Sequence, residues 1–151
     1  MRTKPGENEG RFAELVRSKA PEVTLCGKRR FKVDGVETSV DESLLYGGKH
    51  YLIEIDSGNV AKMLVGQYIL LNHLSGQSLT NPFFLVVHTH KSYNISRTLK
   101  NLDFVDRNIL GGKGMPFGAV HLSSLSNWTG GMPGFLELVR EAGPATTTTE
   151  T

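Results

Sequence analysis

The sequence has little of what marks several protein classes. It contains one cysteine, Cys26, in 151 residues, which excludes an internal disulfide framework and fits a reducing cytoplasm. The longest apolar stretches, MLVGQYILLNHL and FFLVV, are too short and too interrupted to span a bilayer. The first ten residues, MRTKPGENEG, contain no hydrophobic segment. We therefore expect no signal peptide, no membrane partner and a cytoplasmic location.

The sequence also has only a small excess of charge of one sign. The 17 Lys+Arg residues and 15 Asp+Glu residues leave a net charge of +2, which by itself implies no nucleic-acid partner. Basic residues nevertheless cluster in KRRFK (28–32) and in HTHKSYNISRTLK (88–100). Each cluster is typical of solvated charges beside strands and helices, and each also suits contacts with phosphate groups. On the second interpretation the nucleic-acid-binding residues are Lys28, Arg29, Arg30, His88, His90, Lys91, Arg97 and Lys100.

Hydrophobic periodicity and turn residues predict a chain of alternating elements. The predicted helices cover 7–20, 60–74, 92–110 and 133–143, and the predicted strands cover 23–26, 29–33, a hairpin within 39–56, 82–87 and 118–122. The order α-β-β-β-α-β-α-β, closed by a further helix, indicates an α/β fold. We expect a single mixed β-sheet flanked by helices on both faces. One domain would cover 1–143, followed by a disordered tail at 144–151.

The segment SVDESLLYGGKHYLIEIDSGN places three acids in an otherwise apolar hairpin. Gly47 and Gly48 suit a two-residue type I′ turn, since both positions need a positive φ. The residue numbers of opposed partners then sum to 95, so Asp41 lies opposite Glu54. Glu54 and Asp56 are two residues apart and therefore share that face of the sheet.

Opposed like charges on neighbouring strands are destabilising unless water, a proton or a cation compensates them. Oxygen ligands without cysteine or clustered histidine suit Mg²⁺, Ca²⁺ or Mn²⁺ rather than Zn²⁺. A solvated acidic strand end with no metal accounts for the same residues. A slip of one residue in the register would also place the acids on opposite faces. Spacing alone leaves both interpretations open.

The stretch SVDESLLYGGKHYLIEID, followed by a helix, resembles the core of the PD-(D/E)XK nuclease superfamily, which has a restriction-endonuclease-like fold. The resemblance covers roughly residues 7–122, over which the order of predicted elements matches the common core. It implies an endonuclease that hydrolyses phosphodiester bonds in DNA with Mg²⁺ or Mn²⁺ as cofactor. It also implies a homodimer or a partner protein that supplies target recognition.

The resemblance also assigns roles to individual residues. Asp41 and Glu54 would bind the metal together with the backbone carbonyl of Ile55. The superfamily has a lysine two positions after the second acid, where this sequence has Asp56. Asp56 would then act as a further catalytic and metal-binding acid, and Lys62 on the following helix would supply the lysine.

Three other residues match supporting positions in the superfamily. Glu9 or Glu14 would hold a metal-bound water, and Gln67 would lie near the site. The departure at Asp56 favours an alternative, a catalytically inactive nuclease-like domain that binds nucleic acid or a protein partner. A third interpretation is an unrelated α/β domain whose acidic hairpin is solvated surface.

Overall fold

Strands and helices alternate after an opening helix. The structure is a computed structural model that describes residues 6–58, 61–75 and 78–141. Its helices are α1 (Glu7–Lys19), α2 (Ala61–Leu74), α3 (Ile95–Asn108) and α4 (Met132–Leu138), with a 3₁₀ helix at Leu122–Asn127. Its strands are β1 (Arg29–Val33), β2 (Val36–Val40), β3 (Glu42–Tyr46), β4 (Lys49–Asp56), β5 (Pro82–His88) and β6 (Phe117–His121). The predicted tail at 144–151 lies outside the described residues, and none of the described helices is long and apolar enough to cross a membrane.

Four strands form a mixed sheet in the order β3-β4-β5-β6. β3 pairs antiparallel with β4 through a tight turn, whereas β5 and β6 continue the sheet in parallel. Parallel neighbours need a crossover connection, and α2 and α3 provide the two crossovers. β1 and β2 form a separate two-stranded sheet. The protein therefore has an α/β fold with a mixed four-stranded sheet and a small additional hairpin.

Each face of the four-stranded sheet is covered by helices. One core joins residues of the strands such as Leu85 to Phe12 of α1 and to α4. The other joins Phe84 to Leu71 of α2 and Leu102 of α3. Successive residues of a strand point to opposite faces, so the apolar run of β5 serves both cores. The prediction of helices on both faces is confirmed.

The predicted register of the acidic hairpin is confirmed within the β3–β4 ladder. The predicted pairing of Asp41 with Glu54 is wrong, because the ladder ends at Glu42 and Ile53 and the chain bends at Asp41. Glu42 pairs with Ile53 and Tyr46 pairs with Lys49, so the paired residue numbers sum to 95. Gly47 has a φ of 59° and Gly48 a φ of 78°, as a type I′ turn requires. The turn therefore fixes which residue of β3 lies opposite each residue of β4 in the ladder.

The prediction of a single sheet is wrong for the strands nearest the start of the chain. The chain bends at Asp41, and the segment before the bend pairs with itself as β1 and β2 instead of joining the sheet. Phe31 and Val40 of this hairpin pack into the core under α2, which explains why it stays beside the sheet. The segment 23–26 is not a strand, although the Cys26 N–H donates to the Ser43 carbonyl at 2.8 Å.

Two predicted helices also end earlier than expected. Ile109, expected in the core, is 59% exposed because α3 ends at Asn108. The closing helix α4 ends at Leu138 rather than at residue 143.

The turn at Gly48 gives a first test. We expect Gly48→Ala to lower the free energy of unfolding by about 1–2 kcal/mol, because a side chain is strained at positive φ. Gly66, inside α2 with open space around it and a helical backbone, provides the matched control. Gly66→Ala should raise the free energy of unfolding by about 0.5–1 kcal/mol. Urea unfolding measures both, and equal effects of the two substitutions would contradict the turn assignment.

Candidate acidic site at the end of strand β4

Carboxyl groups from three elements meet beside the end of β4. Asp41 lies at the bend between β2 and β3, and its Oδ2 atom accepts a 2.8 Å hydrogen bond from the Ile55 N–H. Glu9, from the first turns of α1, lies close enough to Asp41 for the two carboxyl groups to interact. Burial, followed by the negative charge of Asp41, raises the pKa of Glu9.

Glu54 is the acid most strongly affected by its surroundings. Burial, followed by the negative charge of Asp41, raises its pKa to about 7. The charges of Asp56 and Glu9 add to this increase, and the hydrogen bond from Gln67 opposes it. The dominant cause is the loss of water around a charged group, which favours the protonated form.

Gln67 of α2 holds Glu54 in place. Its Nε2 atom donates to Glu54 Oε1 at 2.9 Å and to the Ser39 carbonyl at 2.8 Å. One amide group thus connects α2 to β4 and to β2, the strand that leads into Asp41. The sequence analysis assigned Gln67 a place near the site, and the structure brings it into contact with Glu54.

Asp56 shares a face with Glu54 but has a different partner. It is buried, and its Oδ2 atom lies 3.1 Å from Nδ1 of His88 on the neighbouring strand β5. The parallel register sets this contact, since Asp56 pairs directly with His88. His88 Nε2 lies 2.7 Å from Thr98 Oγ1 on α3, and Tyr93 OH lies 2.8 Å from the same oxygen.

The protons of this chain have one consistent arrangement when Asp56 is ionised and His88 is neutral. A carboxylate only accepts, so His88 Nδ1 donates to Asp56 and His88 Nε2 accepts from Thr98. The Thr98 oxygen then accepts from the Tyr93 hydroxyl. The rings of His88 and Tyr93 also stack, with centroids 4.0 Å apart. Asp56 is therefore held by the interior of the protein. No motif in the sequence marks Tyr93 or Thr98, so neither was predicted as a site residue.

The structure corrects the predicted role of His88. This residue, assigned to nucleic-acid contact, is fully buried, with both ring nitrogens bonded inside the protein. It is therefore absent from the surface that a nucleic acid would meet. His90 is exposed and lies beyond the end of β5, so the two histidines do not share one exposed face.

The other basic residues lie in two groups. In the first, the charge of Lys28 acts on the acidic site, where it lowers the pKa of Glu9. Arg30 pairs with Glu37 across the β1–β2 hairpin at 3.2 Å, and Arg29 lies over the ring of Phe31. The second group follows β5, and all its members are exposed: His90, Lys91, Arg97 and Lys100. Contact of either group with nucleic acid stays a prediction.

Two predicted supporting residues do not reach the acids. Lys62 is exposed and lines a groove between α2 and α3 together with Val65 and Phe104. The Glu14 side chain is 78% exposed and forms an ion pair with Arg17 at 3.7 Å. Of the two glutamates proposed on the first helix, Glu9 is therefore the one that joins the site.

No preformed metal centre accompanies these acids. Within residues 6–58, 61–75 and 78–141, no group of three or more His, Cys, Asp or Glu side chains has an arrangement that could hold a metal ion. Asp41 and Glu54 instead bond to the Ile55 N–H and to Gln67. In this arrangement amide donors of the protein bond to both carboxyl groups.

Comparisons with known proteins add little to this description. No protein-family model matches the sequence, and no curated protein matches it. One solved structure with some similarity is the "Crystal Structure of Protein of Unknown Function AF1548", with 12% sequence identity and a TM-score of 0.43. The alignment covers 84% of this chain, which spans 62% of the length of that protein. Similarity at this level carries no argument about function.

The raised pKa of Glu54 predicts a dependence of stability on pH. The folded protein binds this proton more tightly than the unfolded chain, whose glutamate has a pKa near 4.5. Stability should therefore fall as the pH rises from about 5 to about 7, and stay reduced above that range. Glu54→Gln keeps an oxygen for Gln67 and removes the charge. At pH 8 without divalent metal, we expect it to be more stable than the wild type by up to about 3 kcal/mol.

Urea unfolding at pH 5 and pH 8 measures this effect. Glu14→Gln is the matched control, because Glu14 is an exposed glutamate and should change the stability difference by less than about 0.5 kcal/mol. An unchanged pH dependence in Glu54→Gln would contradict the electrostatic description of the site.

The buried chain from Asp56 to Tyr93 gives a second test. Thr98→Val keeps the shape of the side chain but leaves His88 Nε2 and the Tyr93 hydroxyl without their partner. We expect a loss of about 1–3 kcal/mol in the free energy of unfolding. Thr38→Val, at a half-buried position on β2, should stay within about 0.5 kcal/mol of the wild type. Equal stability of the two variants would show that the hydrogen bonds are dispensable.

Proposed function

We propose that this protein is a small Mg²⁺- or Mn²⁺-dependent endonuclease that hydrolyses phosphodiester bonds in DNA, with a restriction-endonuclease-like fold related to the PD-(D/E)XK superfamily. The observation that carries the proposal is the meeting of Glu9, Asp41 and Glu54 at the carboxyl end of β4. Ligands commonly bind at the carboxyl ends of parallel strands in open α/β sheets. The element order and the confirmed hairpin register support the same assignment.

The chemistry of these side chains fits a hard divalent cation. All the candidate donors are oxygens, which Mg²⁺ and Mn²⁺ prefer. Burial, followed by repulsion between the acids, raises the pKa of Glu54 and of Glu9, and a bound cation would relieve that repulsion. Asp41 and Glu54 would hold the cation with the Ile55 carbonyl, and would exchange their present partners for it. When bound, the cation would lower the pKa of a water molecule and offset negative charge at the phosphate.

The residues of the chain would then act on that water and on the substrate. Glu9, whose carboxyl group interacts with that of Asp41, is placed to accept a proton or to hold the water. Lys28, whose charge already acts on Glu9, is better placed than Lys62 to provide the positive charge of the missing lysine. DNA is the proposed substrate. A partner protein or a second copy of the chain as the source of target recognition, and a cytoplasmic location, remain predictions from the sequence.

A second candidate function rests on Asp56. This residue stands where the superfamily has its lysine, and it is buried and bonded to His88. An acid held in this way cannot replace a mobile ammonium group beside a substrate. This observation favours a catalytically inactive nuclease-like domain that binds nucleic acid or a protein partner.

Metal titration by calorimetry and a plasmid-nicking assay in the same buffers test the proposal. We expect wild-type protein to bind Mn²⁺ and to nick plasmid. Asp41→Asn keeps the oxygen that accepts from Ile55 but removes a charge, so it should weaken metal affinity at least about tenfold and reduce nicking at least about a hundredfold. Asp103→Asn, which alters a half-buried acid on α3 paired with Arg107, should behave as the wild type.

Each other outcome has a definite meaning. Metal binding without nicking, with a gel shift of DNA that is independent of metal, would favour the inactive binding domain. Equal nicking by wild type and Asp41→Asn would indicate a contaminating nuclease. An absence of both metal binding and nicking would refute the proposed enzyme.

A further inference from the structure

A cavity of about 280 Å³ lies next to the acidic site, on the side of β5 and β6. Its lining includes two cationic side chains, Arg11 of α1 and Lys91 of the segment that follows β5. Thr89 and His121 form part of its wall. The volume is at the lower end of the range for ligand pockets, which suits a single small group rather than a whole nucleotide.

Hydrogen bonds connect the cavity wall to β4 and α1, which carry acids of the site. The Thr89 N–H donates to the Asp56 carbonyl at 2.9 Å, and the Thr89 hydroxyl donates to the same oxygen at 3.3 Å. Asn8 Nδ2 donates to Thr89 Oγ1 at 3.0 Å, and Asn8 is followed in the chain by Glu9. The wall of the cavity thus joins β4 at Asp56 and α1 at Asn8.

Most polar groups of the wall are already occupied. His121 Nδ1 accepts from the Ser123 N–H at 3.1 Å, so the ring proton is on Nε2, which donates to the His90 carbonyl at 2.7 Å. The Thr89 hydroxyl accepts from Asn8 and donates to the Asp56 carbonyl. These bonds fix the shape of the cavity and leave its ligand chemistry to Arg11 and Lys91.

Arg11 and Lys91 retain donors for a ligand. The contact of Arg11 with Asn8 Oδ1 is long, at 3.4 Å, and a guanidinium has five N–H donors. Within the described part of the chain, Lys91 has no hydrogen-bond or ion-pair partner, and its side chain is exposed. A guanidinium and an ammonium that face one small cavity are suited to an anion with several oxygens, such as a phosphate group.

We infer that this cavity is a phosphate site, in which Arg11 and Lys91 hold one phosphate group of a nucleic-acid strand whose neighbouring phosphate lies at the acidic site. The inference rests on the proposed function for the identity of the strand. The relative position of the two sites follows from the hydrogen bonds that join Thr89 to Asp56 and to Asn8. These bonds place the cationic cavity beside the cluster of acids. The site would position the strand without reading its sequence, since phosphate contacts carry no base information.

Inorganic phosphate provides the first probe, in buffer that contains no divalent metal. Two-dimensional NMR titration of the wild type should show saturable shifts at residues 89–91 and 121–123. Arg11→Gln and Lys91→Gln should each raise the dissociation constant about tenfold, because each removes a charged hydrogen bond. Both residues are exposed, so both variants should fold.

Lys113→Gln is the matched control. Lys113 is an exposed lysine that lines a different cavity, beside Lys49 and Pro116, so its substitution should leave phosphate affinity unchanged. Equal weakening in all three variants, or no saturable binding in the wild type, would overturn the inference. Phosphate affinity is measured without metal and without cleavage, so it is independent of the nicking assay. A protein that binds phosphate without nicking, or nicks without binding phosphate, would separate the inference from the proposed function.

Oligonucleotides distinguish the source of the phosphate group. Equal affinity for 5′-phosphorylated and unphosphorylated strands, with about tenfold loss for both in Arg11→Gln, would indicate a phosphate within the strand. A preference for the phosphorylated strand that Arg11→Gln abolishes would indicate a terminal phosphate. Both results support the site. If Arg11→Gln left the affinity for both strands unchanged, the inference would be overturned.

Discussion

The candidate site depends on the hydrogen bond between Asp41 and the Ile55 N–H. The regular ladder between β3 and β4 reaches only as far as Glu42 and Ile53, so the last part of β4 has no β3 backbone beside it. A buried N–H without a partner is costly. The Asp41 carboxylate takes the place of the missing strand at Ile55. The same side chain that completes the sheet also brings negative charge next to Glu54.

This double role explains why the chain bends where it does. If β3 continued through Asp41, the backbone would pair with β4 and no carboxylate would be needed at that edge. The bend instead directs the preceding residues into the separate β1–β2 hairpin, which packs against α2 through Phe31 and Val40. Gln67 then joins Glu54 to the Ser39 carbonyl, so α2 fixes the position of the bend from the other side. The bend, the hairpin and the buried acid therefore depend on one another.

Local sequence was sufficient to predict the part of the site that one turn controls. Two glycines set the turn and the turn set the register of β3 against β4, while the alternation of side chains along β4 placed Glu54 and Asp56 on one face. The contacts of Asp56 could not be predicted in this way, because they depend on the parallel register with β5, whose His88 is 32 residues away. The residues before His88 are all apolar. The strand therefore shows no alternation of polar and apolar residues that would indicate which face the histidine occupies. The choice between Glu9 and Glu14 likewise depended on how α1 rotates against the sheet.

The rotation of α1 follows from its packing rather than from its ends. Phe12 and Val16 are buried in the core with α4, and they fix which residues of the first turns face the carboxyl end of the sheet. Glu9 then meets Asp41, while Asn8 and Arg11 meet Thr89 and the neighbouring cavity. One helix therefore contributes an acid to the negative site and a guanidinium to the positive one. Since the same apolar anchors position both groups, a repacking of Phe12 would move Glu9 and Arg11 together.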